Sequence, residues 1–453
     1  MKNVFTLTAT ALLLWGCTSD ADALKEQTES KVIESAPRQY STARSAGTKV
    51  MMQAFYWDVP SGGTWWNVVS SKVAAWHTAG IDAIWLPPVS KGASGGYSMG
   101  YDPFDYYDFG NFNQMGTTET RFGSKTELQS LITTAHNNDL YIIADIVINH
   151  NGGGSAETNP YTGGTTYTKF TPASGLFSRT LLDFHPNNEH ASDGSTLGGY
   201  PDLCHDKTYV QGWLYNNSNS VAKYYKNTMG FDGWRFDYVA GYAPVVVKNF
   251  KNAAPGFAVG ELWESAATLQ TWTATAEASA FDFPCYFAMR DALANNDLTR
   301  LNADMLLKRS PARAVTFVSN HDTNEIFNNK MLAYAFIMTH EGYPCVFYSD
   351  YEDWLDKNKL NNLIWIHNNK AVGTTTYLYA DNDEYVAKRN GSPGLVVYIN
   401  NSDSWQQRWV ETNWASTVIK DFAGNSTWEP TTQSGKWVLI QAPPHGYTVW
   451  SVK

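Results

Sequence analysis

Residues 141–150 read YIIADIVINH. The run is apolar almost throughout, broken only at Asp145 and at its polar end, Asn149 and His150. A half-exposed strand would alternate, so this pattern predicts a strand covered on both faces, as in a parallel sheet flanked by helices. The neighbouring segments repeat the unit. Upstream lie VMMQAFYW (50–57), WNVVSSKVAAWHTAG (66–80) with helical spacing and a terminal Gly80, DAIWLP (82–87) and the helical TELQSLITTAHNN (126–138). Downstream come the helical YVQGWLYNNSNSVAKYYKNTMG (209–230) and the strands FDGWRFD (231–237), FAVGELW (257–263), ASAFDFP (278–284), AVTFVSN (314–320) and PCVFYS (344–349). Strand and helix alternate eight times, which predicts an α/β fold, a (β/α)8 TIM barrel over 48–150 and 207–372. A doubly wound open sheet is the alternative. Residues 151–206 lack periodicity and read as a long insertion after the third strand. From 373 to 453 short strands separated by turn residues predict a C-terminal antiparallel β-sandwich.

Composition narrows the function class. A net charge of -10 with no basic block argues against nucleic acid as a partner. Lys2 followed by VFTLTATALLLWG and Cys17 resembles a bacterial lipobox, with 1–17 a lipoprotein signal peptide and Cys17 the lipidated residue. Ordinary secretion is the other reading of the same segment. Residues 18–47 read as a flexible linker. The chain is therefore expected to be exported, at the cell surface or outer membrane, and to meet a membrane only through that lipid.

In a barrel the active site lies at the C-terminal ends of the strands. Those ends carry Asp145, Asn149 and His150, then Arg235 and Asp237, then Glu261, then His321 and Asp322. Carboxylates and histidines directly after apolar runs on four different strands are hard to explain as helix caps.

At these residues the chain resembles the α-amylase superfamily of glycoside hydrolases. DIVINH (145–150), GWRFDYVAGY (233–242), GELW (260–263) and FVSNHDT (317–323) match its four ordered signature regions. Archaeal α-amylases look most similar, through SGGYSMGYDP (94–103), GGYPDLCHDK (198–207), NLIWIH (362–367) and APPHGYTVWS (442–451). The resemblance implies Asp237 as nucleophile, Glu261 as general acid and base, and Asp322 as the residue favouring a distorted sugar. It implies sugar contacts from Tyr101, His150, Arg235, Trp263 and His321. Arg235 is expected to keep Asp237 ionised, and Leu262 and Trp263 to raise the pKa of Glu261. The implied substrate is starch, glycogen or a maltooligosaccharide, cut by an endo-acting monomer with retention. A transglycosylase uses the same carboxylates, and a non-catalytic glucan-binding protein would lack one. One departure stands out. Ala240 and Gly241 occupy positions where many members carry Lys and His.

The resemblance also implies a calcium site from Asn149, Asp193, Ser195, Asp202 and Gly241, in which oxygen donors suit a hard cation. A solvated acidic loop is the alternative. The softer His185, His190 and Cys204 suit zinc. A buried thiol beside two hydrogen-bonded histidines is the other possibility. His205 is expected to point away from both sites.

Overall fold

The computed structural model describes residues 49–326 and 328–453. The signal segment, Cys17 and the linker to residue 47 lie outside these residues. Eight parallel strands close a barrel: β1 (Met51–Gln53), β2 (Ala83–Trp85), β3 (Tyr141–Ile146), β4 (Gly233–Phe236), β5 (Phe257–Gly260), β6 (Ser279–Phe281), β7 (Ala314–Phe317) and β8 (Tyr343–Phe347). Each strand pairs with its sequence neighbours, and β8 closes on β1. The open-sheet alternative is thereby excluded. Residues 142–148 are all buried, Asp145 included, as a strand covered on both faces requires.

The helices follow their sequence signals. α1 (Trp65–Ala79) buries Trp65, Trp66, Val69, Val73 and Trp76 on one stripe and stops at Gly80, whose φ of 96° suits a residue without Cβ. α2 (Lys125–Asn137) starts on a capping box between Ser124 and Glu127. The segment expected as one helix over 209–230 is instead broken. Helical turns cover Thr208–Asn216 and Val221–Met229, and Gly230 ends the second at φ 90°. The break falls at Asn217–Ser220, where Asn217 has an extended backbone and ends the first piece.

The insertion contains a hairpin, Ser155–Asn159 with Gly164–Lys169, that periodicity did not reveal. Its strands are Thr-rich and largely exposed, so they carry no apolar alternation. A two-residue ladder, Phe184↔Leu203 and His185↔Asp202, closes the following loop and brings its two ends together.

The C-terminal unit has seven strands. β9 (Thr375–Ala380), β10 (Glu384–Arg389), β11 (Leu395–Asn400), β13 (Ile419–Asp421) and β15 (Gly446–Val452) form one sheet. β12 (Gln406–Glu411) and β14 (Trp437–Ala442) form the other. Val396, Tyr398, Val410, Val438, Ile440 and Trp450 fill the space between them. Arg389 ties this unit to the barrel by donating to the carbonyl of Thr339 at 3.1 Å.

Candidate active site

Parallel register decides what meets at the barrel mouth. Arg235 on β4 lies directly opposite Asp145 on β3. The Arg235 guanidinium, 1% exposed, donates from Nη1 to Asp145 Oδ1 (2.9 Å) and Asp237 Oδ1 (2.8 Å), and from Nη2 to Glu261 Oε2 (2.7 Å). One planar fork thus holds three carboxylates from three consecutive strands within a few ångströms of each other. Asp145 is braced further by Tyr101 Oη (2.9 Å) and Trp85 Nε1 (3.1 Å).

This arrangement corrects the expected electrostatics. Arg235 does not serve Asp237 alone. Burial, with Glu261 and Asp145 alongside, holds Asp237 well above the usual carboxylate range despite Arg235. Burial likewise raises Asp145 to about 6, against the pull of Arg235. One cation faces three buried carboxyls, so each negative charge makes the others harder to form. Glu261 is shifted the other way, downward. Burial pushes it up, but Arg235, the Trp263 indole N–H (2.9 Å to Oε1) and the Tyr238 backbone N–H (3.2 Å to Oε2) together outweigh that. The sequence reading treated Trp263 as apolar cover, whereas its polar edge is what faces the carboxyl. Tyr238 reaches this position with a φ of 44°, a left-handed conformation uncommon for an aromatic residue.

Asp322 stands on the cleft wall with its side chain 41% exposed. Its tip is open to water, but the surrounding protein and the negative Glu261 raise its carboxyl to about 6. His321 Nε2 lies 3.2 Å from Asp322 Oδ2, and burial keeps the imidazole neutral by lowering its pKa. His150 is buried, with Nε2 donating to the carbonyl of Tyr101 (2.8 Å) and Nδ1 3.4 Å from the Asn149 amide nitrogen. Its ring therefore positions Tyr101. The Tyr101 ring stacks on His321 (5.3 Å between centroids) and on Trp57 (5.9 Å). Sequence reasoning missed Trp57, a half-exposed indole on this stack. The signal was its place at the end of the first apolar run.

The residues assigned to metals fall into two adjoining clusters. Asn149 Oδ1 and Asp202 Oδ1 are buried and make no hydrogen bond. Both atoms only accept. A Cβ on Gly241 would overlap Asn149 Oδ1 and lie 2.7 Å from the Ser195 carbonyl oxygen. A Cβ on Gly194 would lie 3.1 Å from the Gly241 carbonyl oxygen. Oxygen acceptors from β3, the insertion and the loop after β4 therefore converge with no donor among them, a donor set that fits a hard cation.

Asp193 departs from its expected place. Its Oδ1 lies 3.1 Å from His185 Nε2 and 3.4 Å from His190 Nε2, and its Oδ2 accepts from the His205 backbone N–H at 2.6 Å. One ligand atom each from His185, His190, Asp193 and Cys204 lie within 4.8 Å of one another. His185 Nε2 forms no aligned hydrogen bond despite the nearby carboxylate. His205, expected to face away, holds Asp193 through Nδ1 at 3.0 Å. The His185↔Asp202 pairing folds the loop back on itself, and Asp193 within that loop meets both His185 and His205.

Comparison with known proteins agrees with this geometry. The family pattern described as alpha amylase, catalytic domain, matches residues 37–171, and the one described as alpha-amylase C-terminal matches 395–451. An alpha-amylase of Geobacillus stearothermophilus is 30% identical, over 88% of this chain and 86% of that protein. The cytoplasmic alpha-amylase of Escherichia coli strain K12 is 29% identical, over 83% of this chain and 93% of that protein. Among solved structures, the alpha-amylase from Geobacillus thermoleovorans complexed with acarbose superposes with a TM-score of 0.70 at 19% identity, over 92% of this chain and 99% of that one. With eight parallel strands, carboxylates at the mouth and relatives matched nearly end to end, the chain belongs to the alpha-amylase family.

Proposed function

We propose that this chain is a retaining, endo-acting α-amylase that hydrolyses α-1,4-glucosidic bonds in starch, glycogen or maltooligosaccharides. The observation that carries the reading is the Arg235 guanidinium joining Asp237 and Glu261. Retention needs two carboxyl groups about 5–5.5 Å apart. Asp237 attacks the anomeric carbon as Glu261 gives its proton to the departing glycosidic oxygen, leaving a glycosyl ester on Asp237. Glu261 then takes a proton from water, whose oxygen displaces Asp237 and restores both groups. For the first step Glu261 must carry a proton and Asp237 must be charged, so bound sugar has to draw the negative charge toward Asp237. Asp322 and His321 face the same sugar. Tyr101 and Trp57 supply its apolar platform.

Asn149, Ser195, Asp202 and Gly241 would hold calcium, which when bound ties the insertion to β3 and β4. His185, His190 and Cys204, with Asp193 as a fourth donor, would hold zinc in a structural role. The closer kinship with archaeal enzymes rests on the four shared segments quoted above. We read the chain as an exported monomer anchored through lipid on Cys17. No helix among the described residues is long and apolar enough to cross a membrane.

Incubation with amylose, with products separated over time and their anomeric form followed by NMR, tests the activity. Internal cleavage releasing α-anomers is expected. β-anomers, or products one sugar shorter only, would refute it.

A further inference from the structure

Three tryptophans of the C-terminal unit are half in water: Trp405 (50% exposed), Trp409 (53%) and Trp437 (47%). Trp409 lies opposite Leu439, and Trp437 lies opposite Glu411. The two indoles are therefore diagonal neighbours on one face, at the separation of about 7–8 Å that large rings bridge. Gln407 and Gln441 share that face and bond to each other at 3.2 Å. The opposite face of the same pair, with Val410, Val438, Ile440 and Ala442, fills the sandwich core. Packing thus accounts for the inner face of β12 and β14 and leaves the outer one unexplained.

We propose that the outer face of β12 and β14 is an α-glucan-binding surface separate from the cleft, with Trp409 and Trp437 stacking on sugar rings and Gln407 and Gln441 meeting their hydroxyls. Adjacent exposed indoles are costly in water unless a ligand covers them. Their polar neighbours decide which ligand. The face carries a single charge, Glu411, which lies 3.5 Å from Lys388 Nζ. A nearly uncharged surface of flat rings and amides complements a neutral polyhydroxyl chain better than an anionic lipid. Trp405, just before β12, is a third half-exposed indole at the end of that strand. That the sugar is an α-glucan rests on the proposed activity of the cleft.

Native electrophoresis in gels cast with soluble amylopectin tests the surface, in an Asp237→Asn background so that the polysaccharide is not consumed. We expect Trp409→Ala with Trp437→Ala to weaken retardation at least fivefold, and Trp409→Phe with Trp437→Phe to restore most of it. Turnover of a blocked maltoheptaoside by the double Ala variant, with Asp237 intact, should stay within twofold of the parent, which also shows that it folds. Unchanged retardation overturns the surface, as does a parent chain that is not retarded. A dimer in sedimentation that the double variant abolishes would give the face to a second copy and also overturn it. Failure of the cleft reading is distinct, appearing as no maltoheptaoside turnover by the parent chain.

Discussion

The indole N–H of Trp263 donates to Glu261 Oε1 at 2.9 Å, while the ring stacks on Phe283 at 4.3 Å between centroids. Phenylalanine would keep the stack and remove the donor. That donor stabilises the charged form, so its loss raises the pKa of Glu261. A general acid works only when protonated, so the alkaline limb of kcat/KM moves to higher pH in Trp263→Phe. A hydrogen bond to a charged group is about 1.5–3 kcal/mol, and one pKa unit is about 1.4 kcal/mol. With Trp263 half-exposed, the limb should move by about one unit at most. A pH–rate profile checks it, and an unmoved limb contradicts the assignment of Glu261.

The two carboxylates should separate in kinetics. Glu261→Gln is expected to lose about 10²–10⁴-fold in starch turnover, and much less on a nitrophenyl glycoside, whose leaving group needs little protonation. Asp237→Asn should lose activity on both. Equal losses of Glu261→Gln on the two substrates would place the proton elsewhere.

Gly241→Ala should abolish the calcium response. The added methyl would occupy the space beside Asn149 Oδ1 and the Ser195 carbonyl. Calcium at one hundred times its Kd stabilises a chain by about 2.7 kcal/mol. Thermal melting with calcium and with chelator reads this directly: the parent should shift, and the variant should melt low under both conditions.

Cys204→Ser should remove zinc from the purified chain, as measured by elemental analysis. Cys285 and Cys345 are fully buried, and burial raises their thiols, so neither should substitute. Zinc at full stoichiometry in Cys204→Ser would reject the site.

Trp57→Ala removes the outer member of the Tyr101–His321 stack. An aromatic pair contributes about 0.5–1.5 kcal/mol, which corresponds to a roughly 2–12-fold rise in KM. Steady-state kinetics on maltooligosaccharides measures it, with kcat expected to change less.

The barrel was legible because its strands are buried on both faces, which leaves almost wholly apolar runs such as Tyr141–Ile148. The mouth was legible because chemistry-bearing residues end those runs. What was hidden depends on direction, which residue type alone does not encode. Trp263 turns its N–H to Glu261, and Asp193 turns to histidines across a folded-back loop. The Thr-rich hairpin was missed because it lies on the surface and has no apolar face to announce it.

Asn149 Oδ1 and Asp202 Oδ1 are buried acceptors without a donor. Each such buried group costs about 1–3 kcal/mol while unmatched, and the cost falls on the insertion. Chelated protein should therefore open there first and be cut there by proteases, while the barrel stays closed. The calcium level around the enzyme would then set how long each molecule survives more than how fast it works.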